Sequence, residues 1–320
     1  MSCRPLQHTT LEGHRIVFNY ATLAAGRLAE LQAFMDELIE QERISQQETF
    51  QEYVRDAHFA LPPEFPDAKS VVVFALYTPL VRAIFHFNGR SADLLIPPQY
   101  YGLGLPKDAA SRIVLNEILS SGSSRLERLP HAHLKLLAVR SGLAQYGRNN
   151  IAYVEGMGSF ITLAAFVTNE TLADEWTDLE MMPLCETCTI CLDGCPTGAI
   201  RADEYVIDAG KCLTLYNEMS GDFPDWIPAD IHNAFIGCMR CQLPCPANHA
   251  VVKDAGRLPD VSESETRAIL CGDPSAPEIA SVAEKLRISL ADVETLRVVS
   301  RNVRALLDPT SLSAPKLDSA

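Results

Sequence analysis

Eight cysteines between residues 185 and 245 have a spacing suited to electron chemistry. The stretch CETCTICLDGCPTGAI sets Cys185, Cys188, Cys191 and Cys195 as C-x2-C-x2-C-x3-C, with Pro196 next. Cys212 stands alone, and GCMRCQLPCPAN then supplies Cys238, Cys241 and Cys245, with Pro246 next. The second run is therefore a four-cysteine motif whose first member is displaced. A cubane cluster needs four thiolates converging from different directions, and a loop with two residues between cysteines supplies three of them. In two-cluster runs the fourth cysteine ligates the other cluster. This rule expects Cys185, Cys188, Cys191 and Cys245 on cluster 1, and Cys195, Cys212, Cys238 and Cys241 on cluster 2. The exchange would hold two 4Fe-4S clusters close enough to pass electrons. Zinc competes, since C-x2-C pairs bind it often, but a three-cysteine run and two Cys-Pro endings suit it poorly. Cys3 and Cys271 fall outside both sets and read as ordinary free thiols.

The elements that must carry these cysteines are mixed. Residues 27–58 read as helix, with Leu28, Leu31, Phe34, Met35, Leu38 and Ile39 at helical spacing. SVVVFALYTPL, from Ser70, predicts a buried strand. VRAIFHFNGRSADLLIPP predicts two strands around Asn88-Gly89, a strong hairpin pair. DAASRIVLNEILSSG, 108–122, predicts a helix, and HLKLLAVRSGLAQYG another that stops at Gly142 or Gly147. GSFITLAAFVTN, 158–169, is strand-like. Helical pattern returns in SESETRAIL, SVAEKLRI and SRNVRALL, and the tail from Pro309 reads as loose. The expected organisation is an α/β (α+β) domain over 1–180, a double 4Fe-4S ferredoxin-like domain over 181–250, and a short helical extension over 251–320 packing on the core.

Composition narrows the function classes. The chain has 320 residues, 47% of them hydrophobic, and a net charge of −14. An acidic balance argues against broad nucleic-acid binding, which needs a basic face. The longest apolar stretch, Ser70 to Val81, is broken by Thr78 and Pro79, whereas a bilayer span needs about 20 apolar residues. No membrane association is expected. The first fifteen residues show neither an apolar signal core nor a twin arginine, so the expected location is cytoplasmic. Clustered cysteines in such a chain point to metal-held thiolates.

CETCTICLDGCPTGAI, Cys212 in DAGKCLTLYNE, and GCMRCQLPCPAN together resemble the ferredoxin module of epoxyqueuosine reductase and its relatives. Reductive dehalogenases share that module in a more distant form. LAVRSGLAQYGRNNIAYVEGMGSF, 137–160, resembles the segment that precedes the module in epoxyqueuosine reductases. The resemblance covers roughly residues 65–250. It implies a cobalamin-binding reductase-like domain followed by a bacterial-type two-cluster ferredoxin domain. It also implies a base-off cobalamin held between the two, near one cluster, with electrons passing from outside through both clusters to cobalt. Two departures stand out. The family carries an acid in an Asp-Ser-Ala-Pro stretch shortly before its Arg-x-Gly-Leu, where this chain has SRLERLPHAHLKLLAVRSGL. Glu127 falls there if one residue is inserted, and Arg128 if none is. Some members also carry a helical repeat domain used with tRNA, where about 60 mostly acidic or neutral residues follow the cysteines here.

A reduction at cobalt needs a matching proton. The candidate donors are Glu127, His131, His133 and the pair Tyr100 and Tyr101; Glu127, Tyr101 and His131 lead. Each has a plainer reading: a solvated carboxylate, a histidine at a helix entry, a packed loop ring. Arg140, Arg148, Asn149, Asn150, Gly158 and Ser159 are the expected contacts to a corrinoid's amide arms and phosphate. Helix capping and turn formation are the plainer roles for this set. The expected function is a corrinoid-dependent iron–sulfur reductase fed by a reduced flavodoxin or ferredoxin, with a small-molecule substrate. A true epoxyqueuosine reductase acting on tRNA is the first alternative. A cobalamin-free two-cluster electron carrier is the second.

Overall fold

The computed structural model describes residues 4–119 and 121–307; Cys3 and the tail from Pro309 lie outside them. The chain opens on a hairpin of β1 (Gln7–Leu11) and β2 (His14–Ala24), for which the sequence reading has no element. Next come α1 (Arg27–Glu40) and α2 (Glu48–Asp56), where one helix was expected over 27–58. The break is polar: Glu42 takes φ 52°, and the Gln47 side chain caps α2 by accepting from Phe50 N at 2.7 Å. β3 (Ser70–Tyr77) follows, then the hairpin β4 (Val81–Phe87) and β5 (Arg90–Ile96). Asn88 and Gly89 turn this hairpin with φ of 50° and 69°, as its primed turn requires.

The predicted helix over 108–122 is shorter and changes type. α3 (Ala109–Ile113) widens into a π turn at Val114–Ile118 and ends in extended backbone at Leu119. β6 (Leu126–Arg128) and α4 (Leu134–Arg140) lead to the small hairpin β7 (Gln145–Tyr146) and β8 (Ala152–Tyr153), then β9 (Ile161–Thr168). The main sheet runs β1-β2-β3-β9-β6, antiparallel throughout. β3 is central, and its alternate residues enter two cores. Val71, Val73 and Ala75 face α1, α2 and α4; Val72 and Phe74 pack against Ile113 and Val114 on the other side.

The cysteine segment is mostly loop, with α5 (Ile190–Asp193), α6 (Leu213–Glu218) and α7 (His249–Val252) as its short helices. β10 (Gly256–Arg257) then pairs parallel to β4. α8 (Glu263–Cys271), α9 (Pro277–Leu286) and α10 (Val293–Leu307) close a second core with β4 and β5 around Phe85, Ile96, Ile269, Val282 and Val299. α10 also grips the cysteine segment. Asn302 Nδ2 donates to Asn217 O at 2.8 Å and to Phe235 O at 3.3 Å, and Arg301 donates to Tyr216 O at 2.6 Å. This fixes α6, whose last residue is Glu218. No helix among the described residues is long and apolar enough to cross a membrane.

One buried carboxylate ties the helical layer together. Burial pushes the Glu265 pKa up, but bonds from Lys285, Ser281 and Ser262 outweigh it and bring it down from 4.5 to about 2. Its folded-state pKa is therefore below its unfolded one. Its contribution is full above pH 4.5 and is lost as pH falls toward 2. Glu265→Gln is expected to cost roughly 3 kcal/mol at pH 7 in urea unfolding, with the gap to wild type closing across that window.

Candidate two-cluster centre and the recess beside it

The thiols of the cysteine segment fall into two electrostatic groups. Cys185 and Cys191 are buried, and each feels Cys188 and Cys245. Cys212 feels Cys238 and Cys195, and Cys241 feels Cys238 and Cys212. These groups coincide with the two ligand sets expected from spacing. Cys241 also feels Cys191, so the two groups adjoin. Burial is the main cause of raised thiol pKa values here, and it pushes Cys191 up to about 11. At Cys185 the Arg148 backbone N–H offsets part of that effect. Buried thiols of this kind are neutral unless a cation compensates the thiolate, which the irons of a cluster do. The donor set fits two four-thiolate clusters.

The residues expected at a corrinoid mostly have protein partners instead. The Arg148 guanidinium donates to Cys185 O. Asn149 Nδ2 donates to Tyr153 Oη at 2.9 Å and Cys241 O at 3.3 Å. Ser159 N donates to Asn248 Oδ1 at 2.8 Å, and Ser159 Oγ bonds Gln242 and Asn248, both at 2.8 Å. Gly158 sits at φ 58°, and a Cβ there would stand 2.2 Å from Asn248 Oδ1. Arg148, Asn149, Gly158 and Ser159 therefore fasten the sheet domain to the cysteine segment. Arg140 stacks on Trp176, 4.0 Å from its ring centre. Asn150, at φ 60°, donates to Tyr205 O at 3.0 Å and accepts from Lys135 Nζ at 2.7 Å through Oδ1.

Lys135 leads to a recess. The residue is exposed, yet burial of its charge is the main cause lowering its pKa, and it feels Cys212, Glu218 and Cys241. Glu218 is likewise accessible and likewise desolvated, which raises its pKa against the opposing pull of Tyr100 and Lys135. Exposed side chains whose charge is still desolvated by surrounding protein lie in a concave part of the surface, the recess. Tyr100 donates its hydroxyl to Glu218 Oε1 and feels Cys212 and Cys238. Tyr100 also lies against Gly237, where a Cβ would stand 2.7 Å from its hydroxyl. Tyr53 is 65% exposed, feels Glu218, and meets the His133 ring edge-on at 6.2 Å. Burial, then the Lys135 charge, lowers His133 to about 4, and its Nε2 is buried without a partner. Five groups, from α2, α4 and the residue before it, α6 and the loop after β5, thus lie beside the second cysteine set.

The three leading donors lie elsewhere. Glu127 sits exposed on edge strand β6, accepting from Arg128 N at 3.3 Å. His131, at φ 55°, stacks on His58 at 5.9 Å. Tyr101 is buried in the second core and gives its hydroxyl to Pro79 O. Sequence reasoning weighed Tyr100 and His133 without choosing them, and missed Lys135, Glu218 and Tyr53. Their signal is absent from local spacing because the fold alone joins positions 53, 135 and 218.

Residues 184–248 match the family described as a 4Fe-4S double cluster binding domain. The Bacillus subtilis epoxyqueuosine reductase is 32% identical over 114 residues, 36% of this chain. The Synechocystis epoxyqueuosine reductase is 30% identical over 189 residues, 57% of this chain. The solved Streptococcus thermophilus epoxyqueuosine reductase superposes with a TM-score of 0.63 at 17% identity, over 91% of this chain and 77% of that one. The chain is epoxyqueuosine reductase-like. The matched stretch spans 28% of the Bacillus enzyme's length and 64% of the Synechocystis enzyme's. A further epoxyqueuosine reductase, solved with an epoxyqueuosine-modified tRNA stem loop, superposes with a TM-score of 0.60 at 21% identity, over 90% of this chain and 76% of that one. At such identity the likeness shows a shared mixed α/β fold. The epoxyqueuosine reductase-like relationship overturns the expectation of a small-molecule substrate. That expectation leaned on one missing aspartate, on the acidic or neutral stretch of about 60 residues after the cysteines and on net charge, and none of these reports what the recess accepts.

Proposed function

We propose that this chain is an iron–sulfur oxidoreductase that reduces epoxyqueuosine in tRNA. The observation that carries the reading is the sequence match to epoxyqueuosine reductases extending beyond the cysteines to 57% of the chain. The recess supports it, because it gives the second cysteine set an open neighbour where a base could sit. Tyr53 offers that base an exposed ring, and base–aromatic stacking is worth about 1–3 kcal/mol.

Removing an epoxide oxygen takes two electrons and two protons, and the oxygen leaves as water. Electrons would enter from a reduced flavodoxin or ferredoxin at the first cysteine set, whose flanking Leu184 and Ile190 are exposed. The family resemblance adds a base-off cobalamin. The recess suits it through the unpartnered Nε2 of His133, the Lys135 ammonium and the exposed Tyr53 ring. When bound, this cofactor supplies a strongly reducing cobalt centre. His133 and Lys135 would hold its polar arms, and Tyr53 would cover the mouth against water.

The test is genetic. Expressed in a strain lacking epoxyqueuosine reductase, the chain is expected to restore queuosine in bulk tRNA. Epoxyqueuosine persisting despite good expression and full iron content would refute the reading.

A further inference from the structure

Deoxygenation of an epoxide needs an acid within hydrogen-bond reach of the departing oxygen. The sequence offers Glu127 at the family's position, but Glu127 is exposed on an edge strand. Lys135, His133 and Tyr53 feel Glu218 or one another, and none of them feels Glu127. Glu218 is the carboxylate at the centre of the recess.

We propose that Glu218 is the proton donor of this chain and that Tyr100 positions it. The inference rests on the proposed reduction of epoxyqueuosine. Glu218 ends α6, and α6 is held on two sides: Asn302 bonds Asn217 O, and Asn217 Nδ2 donates to Gly237 O at 2.6 Å. Gly237 in turn leaves room for the Tyr100 ring, whose hydroxyl reaches Glu218 Oε1. The carboxyl is thus fixed beside the second cysteine set while its face stays open to solvent. Burial favours its protonated form, as a general acid requires.

The step balances simply. Two electrons arrive one at a time from the reduced donor protein through the clusters. As the two carbon–oxygen bonds break, the oxygen takes one proton from the Glu218 carboxyl and one from water in the recess, and leaves as water. The alkene forms, and Glu218 is reprotonated from solvent.

The test compares wild type, Glu218→Gln, Glu218→Asp, Tyr100→Phe and Glu127→Gln as anaerobically reconstituted protein with added cobalamin. The substrate is an epoxyqueuosine-modified tRNA stem loop. Glu218→Gln is expected to lower kcat by at least about 100-fold, with stem-loop Kd and chemical reducibility of the clusters within about threefold of wild type. Glu218→Asp should recover part of that loss, and Tyr100→Phe should fall between. Infrared spectra recorded across pH should show a Glu218 carboxylic-acid C=O stretch, missing in Glu218→Gln, that persists to higher pH than that of an ordinary carboxyl. The proposal is overturned if Glu218→Gln keeps its kcat, if Glu127→Gln is the variant that loses it, or if the infrared band is absent or titrates as an ordinary carboxyl does. A wild type that binds cobalamin but leaves the stem loop unchanged refutes the proposed function instead, and the infrared band still decides the state of Glu218.

Discussion

Substituting Cys185 and Cys245 together is expected to remove no more iron than substituting either alone. They stand 60 positions apart, yet Cys185 and Cys191 both feel Cys245, while Cys212 couples to Cys238 and Cys195. The wild-type chain should carry about eight irons, four for each cubane. Cys185→Ala, Cys245→Ala and the double variant should each retain about four. Cys185→Ala combined with Cys212→Ala should retain almost none, because each set then lacks a ligand. All cluster-deficient variants should lose turnover by at least about 1,000-fold, since the donor's electrons no longer reach the recess. Iron and acid-labile sulfide analysis, with EPR of the reduced protein, checks the pattern. A Cys185/Cys245 pair that loses both clusters would show that the runs do not interleave as described.

The second large effect is structural. Gly158→Ala should destabilise the protein by about 3 kcal/mol or more in urea unfolding. Two penalties combine there. The residue sits at φ 58°, which a side chain disfavours, and the added Cβ would lie 2.2 Å from Asn248 Oδ1. Asn248 cannot move freely, because it is fully buried and also donates to Gln242 O and Ser159 Oγ, both at 2.8 Å. Pushing it away leaves buried polar groups unpaired. The variant should also lose cluster iron faster in air, since Cys245 lies three residues from Asn248. A fully stable Gly158→Ala protein would mean that this fastening contributes little.

Much of this arrangement is legible in the sequence for local reasons. The cysteine pattern is written in spacing, and the Asn88-Gly89 turn in residue types that tolerate positive φ. The buried run of β3 shows because both its faces are covered. The β1–β2 hairpin is hidden for the opposite reason. β1 is mostly exposed and polar at the sheet edge, and β2 lacks a clean alternation. The break after α1 is hidden too, since the apolar stripe of α1 runs on into the pattern of α2. The recess is the least legible part. Tyr53, Tyr100, Lys135 and Glu218 each have an ordinary solvated reading, and only tertiary packing gives them one neighbourhood. The YGRNN turn misled in a different way. Its polar residues suggest ligand contacts, but in the structure Arg148 and Asn149 are buried and bond the cysteine segment, with the Arg148 Nε left without a partner.

Under the proposed function, the charge argument misleads for a related reason. A net charge of −14 describes the whole surface, whereas binding of a stem loop depends on the few groups around one recess. Salt dependence is the proper probe, because each phosphate contact adds to its slope. A shallow slope is expected here, with stacking carrying much of the affinity.

The most direct measurement of the central claim is the mass of the modified nucleoside. Anaerobic protein with both clusters restored, cobalamin added and a low-potential donor supplied is incubated with an epoxyqueuosine stem loop. Nuclease digestion and mass spectrometry then read the product. The expected result is a nucleoside lighter by one oxygen atom, formed over many turnovers and absent when the clusters are missing. Unchanged epoxyqueuosine, with reduced clusters and bound stem loop both demonstrated, would contradict it.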